Sequence, residues 1–217
     1  MRIAIALPVH RQTEAQFTLS LAGMVARAAA TLPHELRTFM AQGTILDARN
    51  GLVEVALEWG ADWILWLDAD QTFGDDTLNR LLGHDLDFVG CNYPRRRPSD
   101  APTAVKDGKP HYTTALLAKA GLVEPVDSIG LGVCLVRASV FRAIERPWFN
   151  WDRSPSGNGH VSEDVGFCRA VRKAGIAVHL DHALSWEVGH IAEQILTNEG
   201  TGRGYVTSSV HAPAGAK

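Results

Sequence analysis

The sequence predicts an α/β protein organised around a mostly parallel central sheet, and three observations carry that expectation. Short apolar runs alternate with segments of helical periodicity through the first 90 residues, the pattern of strand–helix–strand units. Two of those runs, Ile3–Leu7 and Trp63–Leu67, are apolar throughout, as buried strands are. The length of 217 residues suits one domain with a full core and leaves little for a second.

Each element follows in turn. Ile3–Leu7, stopped by Pro8, is the first strand. Phe17, Leu21, Met24 and Val25 recur at helical spacing between Glu14 and Ala30. His34–Gln42 reads as a second strand. Leu52, Val55, Ala56 and Trp59 then mark one face of a helix from Leu46 to Trp59, which Gly60 ends. Trp63–Leu67 is the third strand, Asp75–Leu82 a short helix and Leu86–Gly90 a fourth strand. The character then changes: "CNYPRRRPSDAP" is rich in Pro and Arg, and "AVKDGKPHYT" reads as a hairpin turning at Asp107-Gly108. Leu131–Arg137 is an apolar strand ahead of a helix ending near Ile144. Arg146–His160 is a long loop dense in aromatics, Gly and Pro, of the kind that often carries function. Ser162 caps a helix to Lys173, closed by Gly175, with Val165, Cys168 and Val171 on one face. Strands over Ile176–Leu180 and Leu184–Val188 complete a single domain, 1–192, and leave a flexible tail over 193–217.

Composition narrows the class. Hydrophobic residues at 46% and charged residues at 21% are ordinary for a globular protein. A formal charge of −3 argues against a chain devoted to nucleic acid. Cys91, Cys134 and Cys168 form no CxxC pair and fit reduced, buried thiols. The N-terminal apolar stretch is too short for a secretion signal, and no run approaches the ~20 apolar residues of a membrane span. The expected compartment is the cytoplasm.

The apolar run "ADWILWLDADQTFGDD" stops abruptly at Asp68 and Asp70. In extended backbone the two-residue period places both carboxylates on one side, where they suit a hard cation. Asp-x-Asp alone is a weak motif, and on these two residues by themselves a strand end running into a solvated turn is the favoured reading.

The surrounding residues add to that. The stretch "WGADWILWLDADQTFGDDTLNRLL" resembles the DxD segment of GT-A nucleotide-sugar glycosyltransferases. Downstream, "SEDVGFCRAVRKAGIAVHLDHALSWEVGHI" is similar to the second half of the same signature: an acidic pair opening a helix, then a strand ending in Gly-His. The order and spacing cover the chain to about residue 191 and are closest to family-2-like enzymes and the small, soluble GT-A enzymes of bacteria and phages. The acidic residue that many relatives carry after the second strand is missing, Asp47 coming only later.

That resemblance implies a GT-A, Rossmann-like fold of three layers and a sugar transferred from a nucleotide-diphosphate donor to an acceptor hydroxyl. It implies Mn²⁺ or Mg²⁺ held by Asp70, by Asp68 directly or through water, and by His190. His179 and His182, in the short "HLDH", are expected on the surface. Glu163 and Asp164 are favoured in a first helical turn by the helix dipole alone. The resemblance puts them beside the acceptor, Asp164 as the base of an inverting reaction and Glu163 as a positioning group. Pro8, Val9 and Arg11 match the nucleoside wall. Arg49 reaches a phosphate, a neighbouring carboxylate or an ordinary surface partner. Gly130 and Gly132 allow close approach of backbone to ligand, or mark a bulge. Trp148, Phe149 and Trp151 form either a lid and sugar platform or a cap on the core. Arg95–Arg97 is too short a basic run to imply nucleic acid and reads as a solvated face or a phosphate contact. The acceptor is open: glycan, lipid, protein, metabolite or modified DNA.

Two rival functions share this fold. A sugar-1-phosphate nucleotidyltransferase needs a Gly-rich basic loop after the first strand, and "LPVHRQTEAQ" has none. A nucleotide- or carbohydrate-binding protein without turnover keeps the fold but not the need for the full acidic set.

Overall fold

The computed structural model describes residues 1–95, 101–153, 159–192 and 195–197. In chain order the elements are β1 (Arg2–Pro8), α1 (Ala15–Thr31), β2 (Glu35–Ala41), α2 (Ile45–Glu58), β3 (Trp63–Leu67), β4 (Gln71–Thr72) and α3 (Thr77–Gly83). Then come β5 (Phe88–Gly90), β6 (Val105–Lys106), β7 (Lys109–Pro110), α4 (Ala115–Lys119), β8 (Val123–Val126), β9 (Val133–Arg137) and α5 (Ala138–Ala143). The last are β10 (Asp152–Arg153), β11 (His160–Val161), α6 (Glu163–Lys173), β12 (Val178–Asp181), α7 (His182–Glu187), β13 (Gly189–Ile191) and β14 (Ile195–Thr197).

Seven strands form the central sheet in the order β2-β1-β3-β9-β5-β12-β8. β1 pairs in parallel with β2 and β3, and β12 with β5. β9 is antiparallel to both β3 and β5, and β8 to β12. Five strands therefore run one way and two, β9 and β8, run against them.

Burial explains why β1 and β3 are apolar at every position. Ala4, Ala6, Ile64 and Trp66 face one core with Leu52, Val53 and Ala56 of α2, Phe141 of α5 and Phe167 of α6. Ile3, Ile5, Trp63 and Leu65 face the other, against Phe17 and Met24 of α1, Leu78 and Leu81 of α3 and Leu184 of α7. With helices on both faces, the strands alternate between two apolar surroundings. The expected three layers are present.

Three expectations are corrected. Leu184–Val188 is not a strand: His182–Glu187 forms α7, whose N-cap Asp181 accepts a hydrogen bond from Leu184 N at 2.9 Å. The strand follows as β13, in a separate three-stranded sheet with β4 and β14. His182 is fully buried, not on the surface, because the turn into α7 points it inward beneath β8. Ser162 stands at the N-cap of α6, but its hydroxyl donates to Asp164 instead of capping the backbone. β8 and α4 have no clear signal in the sequence. β8 contains Glu124 and Pro125, residues typical of an edge strand.

The hairpin turns at Asp107-Gly108 as expected, with β6 paired to β7. The three cysteines are free and buried, and burial pushes their thiols up, Cys168 to about 12. Among the described residues, no helix is long and apolar enough to cross a membrane. The expected tail lies outside the described residues except for β14.

Candidate active site

The carboxyl ends of β1 and β3 lie side by side, Ala6 opposite Trp66. The chain leaves β1 through Pro8 and Val9, and leaves β3 through Asp68, Ala69 and Asp70. A cleft of about 460 Å³ opens there, its walls including Pro8, Val9, Arg49, Asp68, Asp70, Glu163 and His190. Five separate segments thus meet at the place where open α/β sheets bind ligands.

Arg49 organises one wall. Its Nη2 donates to Asp68 Oδ1 at 3.1 Å, and its Nε stands 3.7 Å from Glu163 Oε1. The residue is only 3% exposed, between the rings of Trp66 and Phe149, each 5.8 Å from the guanidinium carbon. The reading as a surface ion pair is therefore overturned. Position 49 lies three residues before Leu52 and seven before Ala56, so helical periodicity already places it on the buried face of α2. Burial alone would lower its pKa, but Asp68, Glu163 and Asp164 outweigh it and raise it. Among the described residues its buried Nε and Nη1 make no hydrogen bond, which leaves donors of a permanent cation at the cleft.

Asp70 and His190 form the facing wall. β13 pairs with β4, setting His190 opposite Gln71, and Ile191 N donates to the Asp70 carbonyl at 2.7 Å. His190 Nδ1 lies 2.8 Å from the Pro94 carbonyl. A carbonyl can only accept, so Nδ1 donates this bond, and it is Nε2 that faces the Asp70 carboxylate. Nε2 is 3.4 Å from Asp70 Oδ2. Neighbouring ligands on one octahedral cation stand about 3 Å apart, so this nitrogen–oxygen pair fits a divalent metal. The mix of imidazole and carboxylate suits Mn²⁺ better than Mg²⁺.

Glu163 and Asp164 open α6 and diverge. Glu163 turns into the cleft beside Arg49. Burial raises its pKa, Arg49 opposes that and Asp164 adds to it. Asp164 is half-buried and sits outside the lining residues. Among the described residues its hydrogen bonds fall on Oδ1, from Ser162 Oγ and from Val165 N at 2.7 Å.

Gly130 and Gly132 have a reason that sequence does not supply. A Cβ at either would come within 2.3 Å or 2.6 Å of the Tyr93 hydroxyl, so the pair makes room for this buried ring. Gly132 N donates to that hydroxyl at 2.8 Å, and the Gly132 carbonyl accepts from Asp68 N at 2.9 Å. Tyr93 also packs edge-on to the His190 ring, centroids 5.4 Å apart. Two glycines at this spacing signal a close approach, but the approaching group is a side chain of the same protein.

The other expected residues scatter. Arg11 is exposed and outside the lining, where its neighbours His10 and Gln12 are found. Asp47 is engaged at the start of α2, its carboxylate accepting from the Thr44 hydroxyl at 2.7 Å. Trp148 and Phe149 are buried, Trp148 Nε1 donating to the Phe141 carbonyl at 2.7 Å, so both cap the core. Trp151 is 49% exposed. Of the basic run only Arg95 is among the described residues.

No family model matches the chain. Over 151 residues, 66% of this chain, it is 26% identical to the mannan polymerase II complex anp1 subunit of Schizosaccharomyces pombe. That match covers 34% of the subunit, so the chain spans about a third of this relative's length. Among solved structures, A197 from STIV matches at TM-score 0.60 and 15% identity, over 95% of this chain and 100% of that one. GalNAc-T7, solved with UDP, GalNAc and Mn²⁺, matches at TM-score 0.55 and 9% identity, over 87% of this chain and 43% of that one. The fold is GT-A. In this GT-A sheet the reversed strand β9 carries Gly132 at its entrance, and β13 closes the cleft from the opposite side.

Proposed function

We propose that the chain is a metal-dependent glycosyltransferase that moves a sugar from a nucleotide-diphosphate donor to an acceptor hydroxyl. The observation that carries this reading is the convergence of Asp68, Asp70, His190, Arg49 and Glu163 on one cleft at the ends of β1 and β3. The GT-A neighbour solved with UDP and Mn²⁺ supports it.

Asp70, His190 and Asp68 would hold Mn²⁺ or Mg²⁺, which when bound neutralises charge building on the departing diphosphate. The chain's own groups do the rest. Arg49 fixes Asp68 and Glu163 and offers its remaining N–H donors to a phosphate oxygen. Pro8 and Val9 form the nucleoside wall, with Arg11 at its rim. Gly132, held by the Tyr93 hydroxyl, accepts from Asp68 N and forms the floor under Asp68. Asp164 takes the acceptor proton, and Glu163, clamped by Arg49, positions the acceptor. Trp151 offers an exposed aromatic face to a sugar ring. The cytoplasm is the proposed compartment.

The test is donor hydrolysis and transfer with UDP-, GDP-, ADP-, CDP- and dTDP-sugars, with and without Mn²⁺. Asp70→Ala is expected to abolish metal-dependent turnover with an unchanged circular dichroism spectrum; turnover equal to the parent would sink the assignment. Asp164→Asn is expected to keep donor binding and lose transfer, whereas collapse of donor affinity would place Asp164 in the donor site. Donor binding without any hydrolysis or transfer would favour a binding protein that has kept the fold.

A further inference from the structure

At the far edge of the sheet, a second group of ligand-type side chains converges on one point. Glu124 Oε1 lies 2.7 Å from His111 Nε2 and 2.9 Å from His182 Nε2, and all three atoms fall within 4.8 Å of one another. β8 is four strand spacings from β3, about 19 Å across the sheet, so the group is separate from the cleft.

The geometry points to a Zn²⁺ site made by His111, Glu124 and His182, distinct from the cleft and independent of the glycosyl-transfer reading. Two imidazole nitrogens and one carboxylate oxygen are the donor set that selects Zn²⁺ over Mg²⁺ or Mn²⁺. With bonds of about 2.0–2.1 Å a tetrahedral ion sets its ligands about 3.3 Å apart, so a small opening of the observed contacts admits it.

The backbone under each ligand is pinned. Glu124 pairs with Leu180 across β8 and β12, His182 N donates to the Leu122 carbonyl at 3.0 Å, and His111 N donates to the Ala104 carbonyl at 2.9 Å. The outer partners are those that orient metal ligands. His182 Nδ1 meets the Thr113 hydroxyl at 3.1 Å, and Glu124 Oε2 is paired with the Lys106 ammonium. His182 is buried, whereas the His111 and Glu124 side chains are 23% and 15% exposed. An ion can therefore enter from the surface and keep a water as its fourth ligand. Such an ion would tie the β6–β7 hairpin region, β8 and α7 together.

The test starts from full-length protein stripped with chelator, reloaded with Zn²⁺ and passed through a desalting column. Metal content is measured in the parent, in Asp70→Ala and in two variants of the cluster, His111→Ala and Glu124→Gln. Asp70→Ala, which lacks the cleft ligand, is expected to keep one Zn²⁺ per chain, and each cluster variant is expected to hold one Zn²⁺ fewer than the parent while circular dichroism shows it folded. Loading with Co²⁺ is expected to give the visible absorption of a tetrahedral ion under the same pattern of retention and loss. Should a cluster variant not fold, the parent and Asp70→Ala still decide. The proposal is overturned if the parent retains no Zn²⁺, so that the cluster is hydrogen-bonded only, or if Zn²⁺ is lost with Asp70→Ala but kept by the folded cluster variants.

Discussion

Arg49 is a permanent cation, almost fully buried, with carboxylates on two sides. Removing one member of such a group leaves the others charged and desolvated, which costs more than the group contributes when intact. Arg49→Met is therefore expected to destabilise the fold by about 3 kcal/mol in urea unfolding. Adding Glu163→Gln should recover part of that loss. A single variant as stable as the parent would show that the group carries no weight. Gly132→Ala tests the floor: its Cβ meets the Tyr93 hydroxyl at 2.6 Å and Asp68 Oδ2 at 3.1 Å. The expected outcome is a loss of about 1–3 kcal/mol together with weaker metal-dependent donor binding. Unchanged stability and binding would mean that Tyr93 moves aside freely. At this scale the sequence is legible for the acids, since two carboxylates seldom end a buried apolar strand unless something pairs with them. It is less legible for Arg49, because a charged side chain reads as surface even where its helical position lies on the apolar face.

Helix α7 has only six residues, too few for packing periodicity to hold it in register, and its start depends on Asp181. The Asp181 carboxylate accepts from Leu184 N and also pairs with His84 Nε2 at 2.8 Å. Asp181→Ala is expected to lower stability by about 1–2 kcal/mol, the range for a lost N-cap. An unchanged urea midpoint would show that β12 and β13 hold the segment without it. In sequence this element reads as a strand because Leu184, Trp186 and Val188 repeat at a period of two, and the segment is too short to show a period of 3.6. The Asp-His-Ala-Leu start is the better signal. β8 is hidden because an edge strand with Glu and Pro lacks the apolar run that marks the central strands.

For the molecule as a whole, the layered order is legible because β1 and β3 are covered on both faces. The reversal of β9 is not, since a central strand is apolar whichever way it runs. Its close fit is testable where β9 meets β5. A Cβ at Gly90 would stand 2.4 Å from Cys134 Cβ and 3.0 Å from the Val133 carbonyl, neither of which can swing away. Gly90→Ala is expected to cost about 3 kcal/mol or more, and a neutral result would mean that β5 and β9 can part. Ligand linkage gives a global check on the cleft. A donor at one hundred times its Kd should add about 2.7 kcal/mol of stability, read as a rise in Tm that chelator abolishes. A rise that survives chelation would separate donor binding from metal.

The three buried thiols also make the protein its own reporter of opening. Cys91, Cys134 and Cys168 are all shielded and held in the unreactive protonated form. An aromatic disulfide reagent should release no colour from the native chain and three equivalents from each molecule that unfolds. The rate of colour release becomes a clock for excursions out of the native state, and each stabilising ligand will slow that clock without any label being introduced.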